Sequence, residues 1–351
     1  MNDERIKKVA DILINYSLKV KKKEYVQVMA DTEAEPLVKE IYKLILQKGA
    51  FPVLKIDFPW QTYMYYTNAS DEQLNHFPEL SFEEMKKMDA FIRIDAGRNV
   101  RGLTNVDPKR MSLRQKIVDP INKERLKKKW VIFDYPSDSL AQEAEMSTEE
   151  FEDFVYGACI QDWEKISKSM DKIVKIMSGK IVRIVGDNTD LTFSIEGRKW
   201  VKGDGKYNMP DGEIFTAPNE KTTEGFIEFD LATIRGGREV AGVKLEFSKG
   251  KVVKASAVKN NDYLQSMLNT DEGAMYLGEL GIGLNEGITK PVRNILFDEK
   301  INKTIHLAIG SAYAECGGVN KSAVHWDFIK TMKTGKIFLD GNLVYEKGKF
   351  L

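Results

Sequence analysis

The sequence predicts a two-domain protein, an α/β domain with a mostly parallel sheet followed by a β-rich α+β domain. Three observations carry this. A chain of 351 residues exceeds one typical domain. Its first half alternates strand-like and helix-like segments. Its second half strings strand-like segments together with Gly-rich turns.

In the first half, Ile6, Val9, Ile12 and Leu13 recur at helical spacing over Arg5 to Tyr16. A short strand is expected over Tyr25 to Ala30. Thr32 and Glu35 have capping-box spacing, and Leu37, Ile41, Leu44 and Ile45 form one face of the helix after them, with Gly49 as its stop. Val53 to Ile56 completes a β-α-β unit, which implies a parallel sheet. Ala90 to Ile94 and Trp130 to Phe133 read as further buried strands. Ser147 to Gly179 reads as one long helix that opens with a second capping box, Ser147 and Glu150. That helix marks the expected boundary between an N-terminal domain over 1–179 and a C-terminal domain over 180–351.

Beyond Lys180 the expected strands are Ile181 to Val185, Leu191 to Ile195, Gly225 to Phe229, Val240 to Phe247 and Lys251 to Val258, with a helix near Asn261 to Leu277. Lys123 to Lys129 reads as a solvated helix face.

Bulk properties narrow the function. Lys+Arg and Asp+Glu both number 53, so no net field draws the chain to nucleic acid or an anionic membrane. Two cysteines, Cys159 and Cys316, exclude a disulfide scaffold and fit a reducing compartment. No apolar run approaches membrane-spanning length, and MNDERIKKVADIL has no signal-type apolar core. A cytoplasmic location is expected. No dinucleotide fingerprint, P-loop or nucleophile elbow occurs.

The chemistry is expected near the end of the chain. Of three histidines, His76, His306 and His325, the last two sit in alternating apolar runs. As a strand, Ala323 to Phe328 points Val324, Trp326 and Phe328 to one face and His325 with Asp327 to the other. In a helix that pair would diverge by about two hundred degrees. Thr304 to Ile309 repeats the pattern, with Ile305, Leu307 and Ile309 opposite His306. Imidazoles beside carboxylates form a ligand set for zinc, cobalt or manganese. A lone strand histidine also serves as a hydrogen-bonded structural residue. Glu213 and Glu279 lie among glycines and apolar side chains, where a carboxylate is either exposed on a loop or in need of a partner such as a cation.

The segments NMPDGEIFTAP, LGELGIGLN, IHLAIGSAYAECGG, NKSAVHWDF and DGNLVYEKGKF resemble the thermophilic-type metalloaminopeptidases, metallopeptidase family 29. The resemblance covers nearly the whole chain and is sharpest from Lys180 onward. It implies an aminopeptidase with two divalent ions (zinc, cobalt, manganese or magnesium), held by Glu213, Glu279, His306, His325 and Asp327. It implies Tyr313 as the active-site tyrosine, peptides with a free N-terminus as substrates, and a homodimer; a two-metal mechanism would add a carboxylate base, either Glu213 or Glu279. Another two-metal amide or ester hydrolase, or a non-catalytic relative of the same fold, would share these residues. The stretch Ala314 to Val324 is shorter than in many members of that family, which bears on the loop shaping the substrate pocket.

Overall fold

The computed structural model describes residues 3–351 and divides the chain into two compact units. The first comprises Met1–Gln161 with Gly205–Pro210, and the second comprises Asp162–Asp204 with Asp211–Leu351.

The first unit holds a parallel sheet, in the spatial order Phe51–Asp57, Tyr25–Asp31, Ala90–Asp95, Lys129–Asp134 and Asn208–Met209. Helices connect its strands, as parallel pairing requires. Val26, Val28 and Ala30 are buried on one face and Gln27 on the other, so this strand is enclosed on both. Each of the first four strands in the sequence ends in aspartate: Asp31, Asp57, Asp95 and Asp134. Arg93 lies among three of them. Its guanidinium donates to Asp57 at 2.5 Å and to Asp95 at 2.6 Å, and lies 3.5 Å from Asp31.

The second unit is antiparallel. An eight-stranded sheet and a five-stranded sheet contribute to one apolar core. Val182, Ile184, Leu191 and Phe193 enter it from the larger sheet. Ile214, Leu280, Ile282, Ile305, Leu307, Trp326 and Phe328 enter it from the smaller one. The order of the smaller sheet is His325–Thr331, Thr304–Gly310, Leu277–Gly283, Glu213–Thr216 and Val201–Gly203.

Four local expectations are corrected. Thr32 and Glu35 make no capping box, because Thr32–Ala34 forms a 3-10 turn and the helix starts at Glu35 with Pro36 in its first turn. The long helix expected over Ser147 to Gly179 is two helices, Thr148–Cys159 and Trp163–Ile176. Ile160 leaves helical geometry and Asp162 caps the new start by accepting from the Lys165 N–H. The strand expected over Val240 to Phe247 breaks at Gly242, whose φ of 63° suits a residue without a Cβ. The helix expected to reach Leu277 ends at Leu268. The capping box of Ser147 and Glu150 is present.

Candidate metal centre

Strand alternation builds the site. In the smaller sheet, Ile214, Leu280, Ile282, Ile305, Leu307, Ile309, Trp326 and Phe328 take the core face. Period two then assigns Glu213, Glu279, His306, His325 and Asp327 to the opposite face. Register brings them together. Gly283 pairs with Glu213, Gly281 with His306, Ala308 with both Glu279 and Asp327, and Gly310 with His325. All five residues named from the sequence therefore meet on one patch.

Gly281 makes room for this. A Cβ there would stand 2.0 Å from His306 Nε2, so the imidazole lies directly over the glycine. Gly203 has the same role beside Glu213. A Cβ there would come within 2.4 Å of Asp211 Oδ1 and 2.7 Å of Glu213 Cγ. The glycines that spoil apolar periodicity in LGELGIG are thus the space in which the site is built.

His306 Nε2 lies 3.1 Å from Glu213 Oε2 and 3.4 Å from Glu279 Oε1. His325 Nε2 lies 3.4 Å from Glu279 Oε2 and 3.6 Å from Asp327 Oδ2. Glu279 thus turns one oxygen to each imidazole. Both rings are oriented from behind by backbone carbonyls. His306 Nδ1 is 2.9 Å from the Glu299 carbonyl, and His325 Nδ1 is 2.8 Å from that of Ser311. A carbonyl only accepts, so Nδ1 carries the proton in both rings and Nε2 faces the carboxylates. That arrangement fixes a metal-binding imidazole.

Two buried oxygens here make no well-aligned hydrogen bond: Asp327 Oδ1, and Glu213 Oε2, which faces only His306 Nε2 at 3.1 Å. An unpaired buried carboxylate oxygen is costly, and a cation is the partner that fits. Ligand atoms of Glu213, Glu279 and His306 lie within 4.8 Å of one another, as do those of Glu279, His325 and Asp327. The donor set therefore fits divalent metal, with Glu279 common to both groups.

A third group within the same distance, Glu299 with His306 and Asp327, adds a residue that sequence reasoning missed. Its neighbour Lys300 was missed as well. Lys300 is fully buried, with its ammonium against Glu299 and 3.6 Å from Glu213 Oε1. Both lie in Phe297-Asp298-Glu299-Lys300, where a charged run between strands reads as exposed turn. The only signal was the position of that run, seven residues before His306.

Burial and mutual charge act together on the ionisable groups of the site. Burial pushes the Glu279 carboxyl up, against the pull of His306 and His325. Burial pushes Glu299 up as well, against Lys300. Burial would raise Glu213 too, but Lys300 and His306 together hold it below its ordinary range. Burial disfavours charge on His306, but Glu213 and Glu279 outweigh it and hold the imidazole well above its usual value. His325 is raised against burial by Asp327 and Glu279.

Tyr313 follows the His306 strand just before the turn Ala314–Cys316. Its ring packs 4.9 Å from that of His325 and 5.8 Å from that of Phe215. As a residue it is 46% exposed. Desolvation beside the site, then the negative charge of Glu279 and Asp327, pushes the phenol well above its usual range. It stays protonated and able to donate.

The family model for thermophilic metalloproteases (M29) matches residues 2–350. Aminopeptidase 2 of Geobacillus stearothermophilus is 27% identical, with 98% of each chain covered. Aminopeptidase AmpS of Bacillus subtilis (strain 168) is 26% identical, with 96% of each covered. The alignment to the Geobacillus protein spans 418 positions against 351 residues here, so that relative carries segments absent from this chain. The solved structure of wild-type AmpT from Thermus thermophilus shares the fold, with a TM-score of 0.88 over 99% of both chains at 22% identity. Matched from one end to the other by that model, the chain belongs to the M29 family of thermophilic metalloproteases.

Proposed function

We propose that the protein is a metal-dependent aminopeptidase that removes N-terminal residues from peptides at a centre of two divalent ions. The observation that carries this reading is Glu279, which turns one oxygen to His306 and the other to His325, as a carboxylate shared by two ions would. Asp327 Oδ1, buried without a hydrogen bond, and Glu213 Oε2, which faces only His306, support it from either side. The ligands are Glu213, Glu279, His306, His325 and Asp327, with Glu299 placed to join them. The ions are zinc, cobalt, manganese or magnesium. The mixed nitrogen and oxygen donor set suits the first three more closely than the last. The relatives' names favour a free N-terminus on the substrate.

Two divalent ions would supply an acidified water and a polarised scissile carbonyl. The chain's own residues do the rest. Glu213 or Glu279 is the candidate base, accepting the water's proton and passing it to the leaving amine. Tyr313 donates its phenolic O–H to the oxygen that becomes negative in the tetrahedral state. His306 and His325 are held by carbonyls behind them, so neither ring turns during the reaction. The protein acts in the cytoplasm as a homodimer. Among the described residues no helix is long and apolar enough to cross a membrane.

The test is hydrolysis of leucine, alanine and arginine p-nitroanilides beside N-blocked peptides and phosphoesters. Each is run as isolated, after EDTA and after adding back single metals. Turnover of the unblocked substrates that disappears with EDTA and returns with metal is expected. Turnover confined to blocked peptides or esters would place the enzyme among other two-metal hydrolases.

A further inference from the structure

We infer that Lys300 is a positioning residue for the metal centre, holding one oxygen of Glu213 and one of Glu299 so that Glu213 presents its other oxygen to the centre. The inference rests on the reading of the site given above. It starts from a cost. An ammonium with no solvent exposure is expensive to bury and needs close anionic partners. The partners of Lys300 are two carboxylates at the centre. Its Nζ contacts Glu299 Oε1 and lies 3.6 Å from Glu213 Oε1. The two oxygens of Glu213 are thereby divided. Oε1 is turned to Lys300, and Oε2 is turned to His306 Nε2 at 3.1 Å, on the side of the other candidate ligands.

The lysine cannot easily swing away. Its backbone N–H donates to the Phe297 carbonyl at 3.0 Å, and its carbonyl accepts from the Asn285 N–H at 3.0 Å. Asn285 is fixed in turn, donating from Nδ2 to the Asp211 carbonyl at 2.6 Å. The strand bearing Glu213 and the loop bearing Glu299 and Lys300 are thus tied into one frame.

A second buried lysine in the same unit shows the alternative. Lys330 is 2% exposed, but its ammonium donates to the carbonyls of Asp187 at 3.0 Å and Glu228 at 2.8 Å, and lies 3.4 Å from Asp230. None of those three residues belongs to the candidate metal groups. Lys330 supports the fold, whereas Lys300 supports the ligands.

The experiment compares the stripped wild-type protein with Lys300→Met, Lys300→Gln and Lys330→Met. Cobalt binding is followed by calorimetry and by the visible spectrum of the bound ion. Lys300→Met is expected to weaken cobalt binding by about tenfold or more, the scale found when groups that orient metal ligands are removed. Lys300→Gln, which keeps a donor without the charge, is expected to lose less and to show the same shifted spectrum. Lys330→Met is expected to melt earlier and to bind cobalt as the wild type does. Should Lys300→Met not fold, Lys300→Gln decides alone. Cobalt affinity and spectrum like those of the wild type in every folded Lys300 variant would overturn the inference and leave the site reading intact. A wild-type protein that binds no cobalt, zinc or manganese would overturn both.

Discussion

Two regions of this molecule gather carboxylates, the first at strand ends and the second on one face of a sheet, and only the second has the donor set of a cation site. In the first unit, Asp31, Asp57 and Asp95 surround Arg93, whose forked guanidinium faces all three. None of their oxygens is among the buried atoms without a partner. In the second unit, Glu213, Glu279, Glu299 and Asp327 share one ammonium and two imidazoles, and Asp327 Oδ1 remains without a hydrogen bond. The lesson is that a cluster of acids says little by itself. What distinguishes the second group is its donor set: carboxylates faced by imidazole Nε2 atoms rather than by a guanidinium.

The sharpest way to break the comparison is to remove an imidazole. His306→Ala and His325→Ala are each expected to lower kcat/KM by on the order of a thousandfold or more and to reduce bound metal, since ligand geometry sets the chemistry. They are expected to differ in stability. His306 is fully buried between two carboxylates, so its loss costs the metal-free protein about 3–5 kcal/mol. His325, a quarter exposed, costs less. Metal analysis and thermal melting of both variants check this, and full metal content in both would refute the ligand assignment.

A smaller effect is expected at Tyr313. Tyr313→Phe should lower kcat by about 10²–10³ with metal content and KM little changed, the signature of a donor used mainly in the transition state. Unchanged kcat would remove the oxyanion role and leave Tyr313 as packing against His325.

The control lies in the other unit. Arg93→Met should destabilise the protein by about 1–2 kcal/mol, because the three aspartates lose their common counter-charge. Metal content should not change. A fall in metal stoichiometry would show that the two acidic regions are not independent.

Much of this was legible in the residues. The alternation in AVHWDF and TIHLAIG put His325 beside Asp327 and turned His306 from the core, because period two admits no other face for them. Glu213 and Glu279 were harder to read. Glu279 shares its face of the strand with Gly281, and only the paired register shows that Gly281 clears space for His306 and Gly203, on a neighbouring strand, for Glu213. Glu299 and Lys300 were not legible, since a buried ion pair and a solvated turn have the same composition until the fold closes over one of them. The break between the helices Thr148–Cys159 and Trp163–Ile176 escaped notice for a related reason. Their apolar positions keep helical spacing through Ile160–Asp162, and the signal is a capping aspartate rather than a proline or glycine.

The central claim, two ions sharing Glu279, is tested most directly by the metal stoichiometry of the protein. Stripped wild-type protein is titrated with cobalt and then weighed intact under native conditions, beside Glu279→Ala. Two ions per chain in the wild type, with both sites weakened together in the variant, is the predicted result. A single ion per chain, or a variant that loses one ion and keeps the other at full affinity, would contradict it.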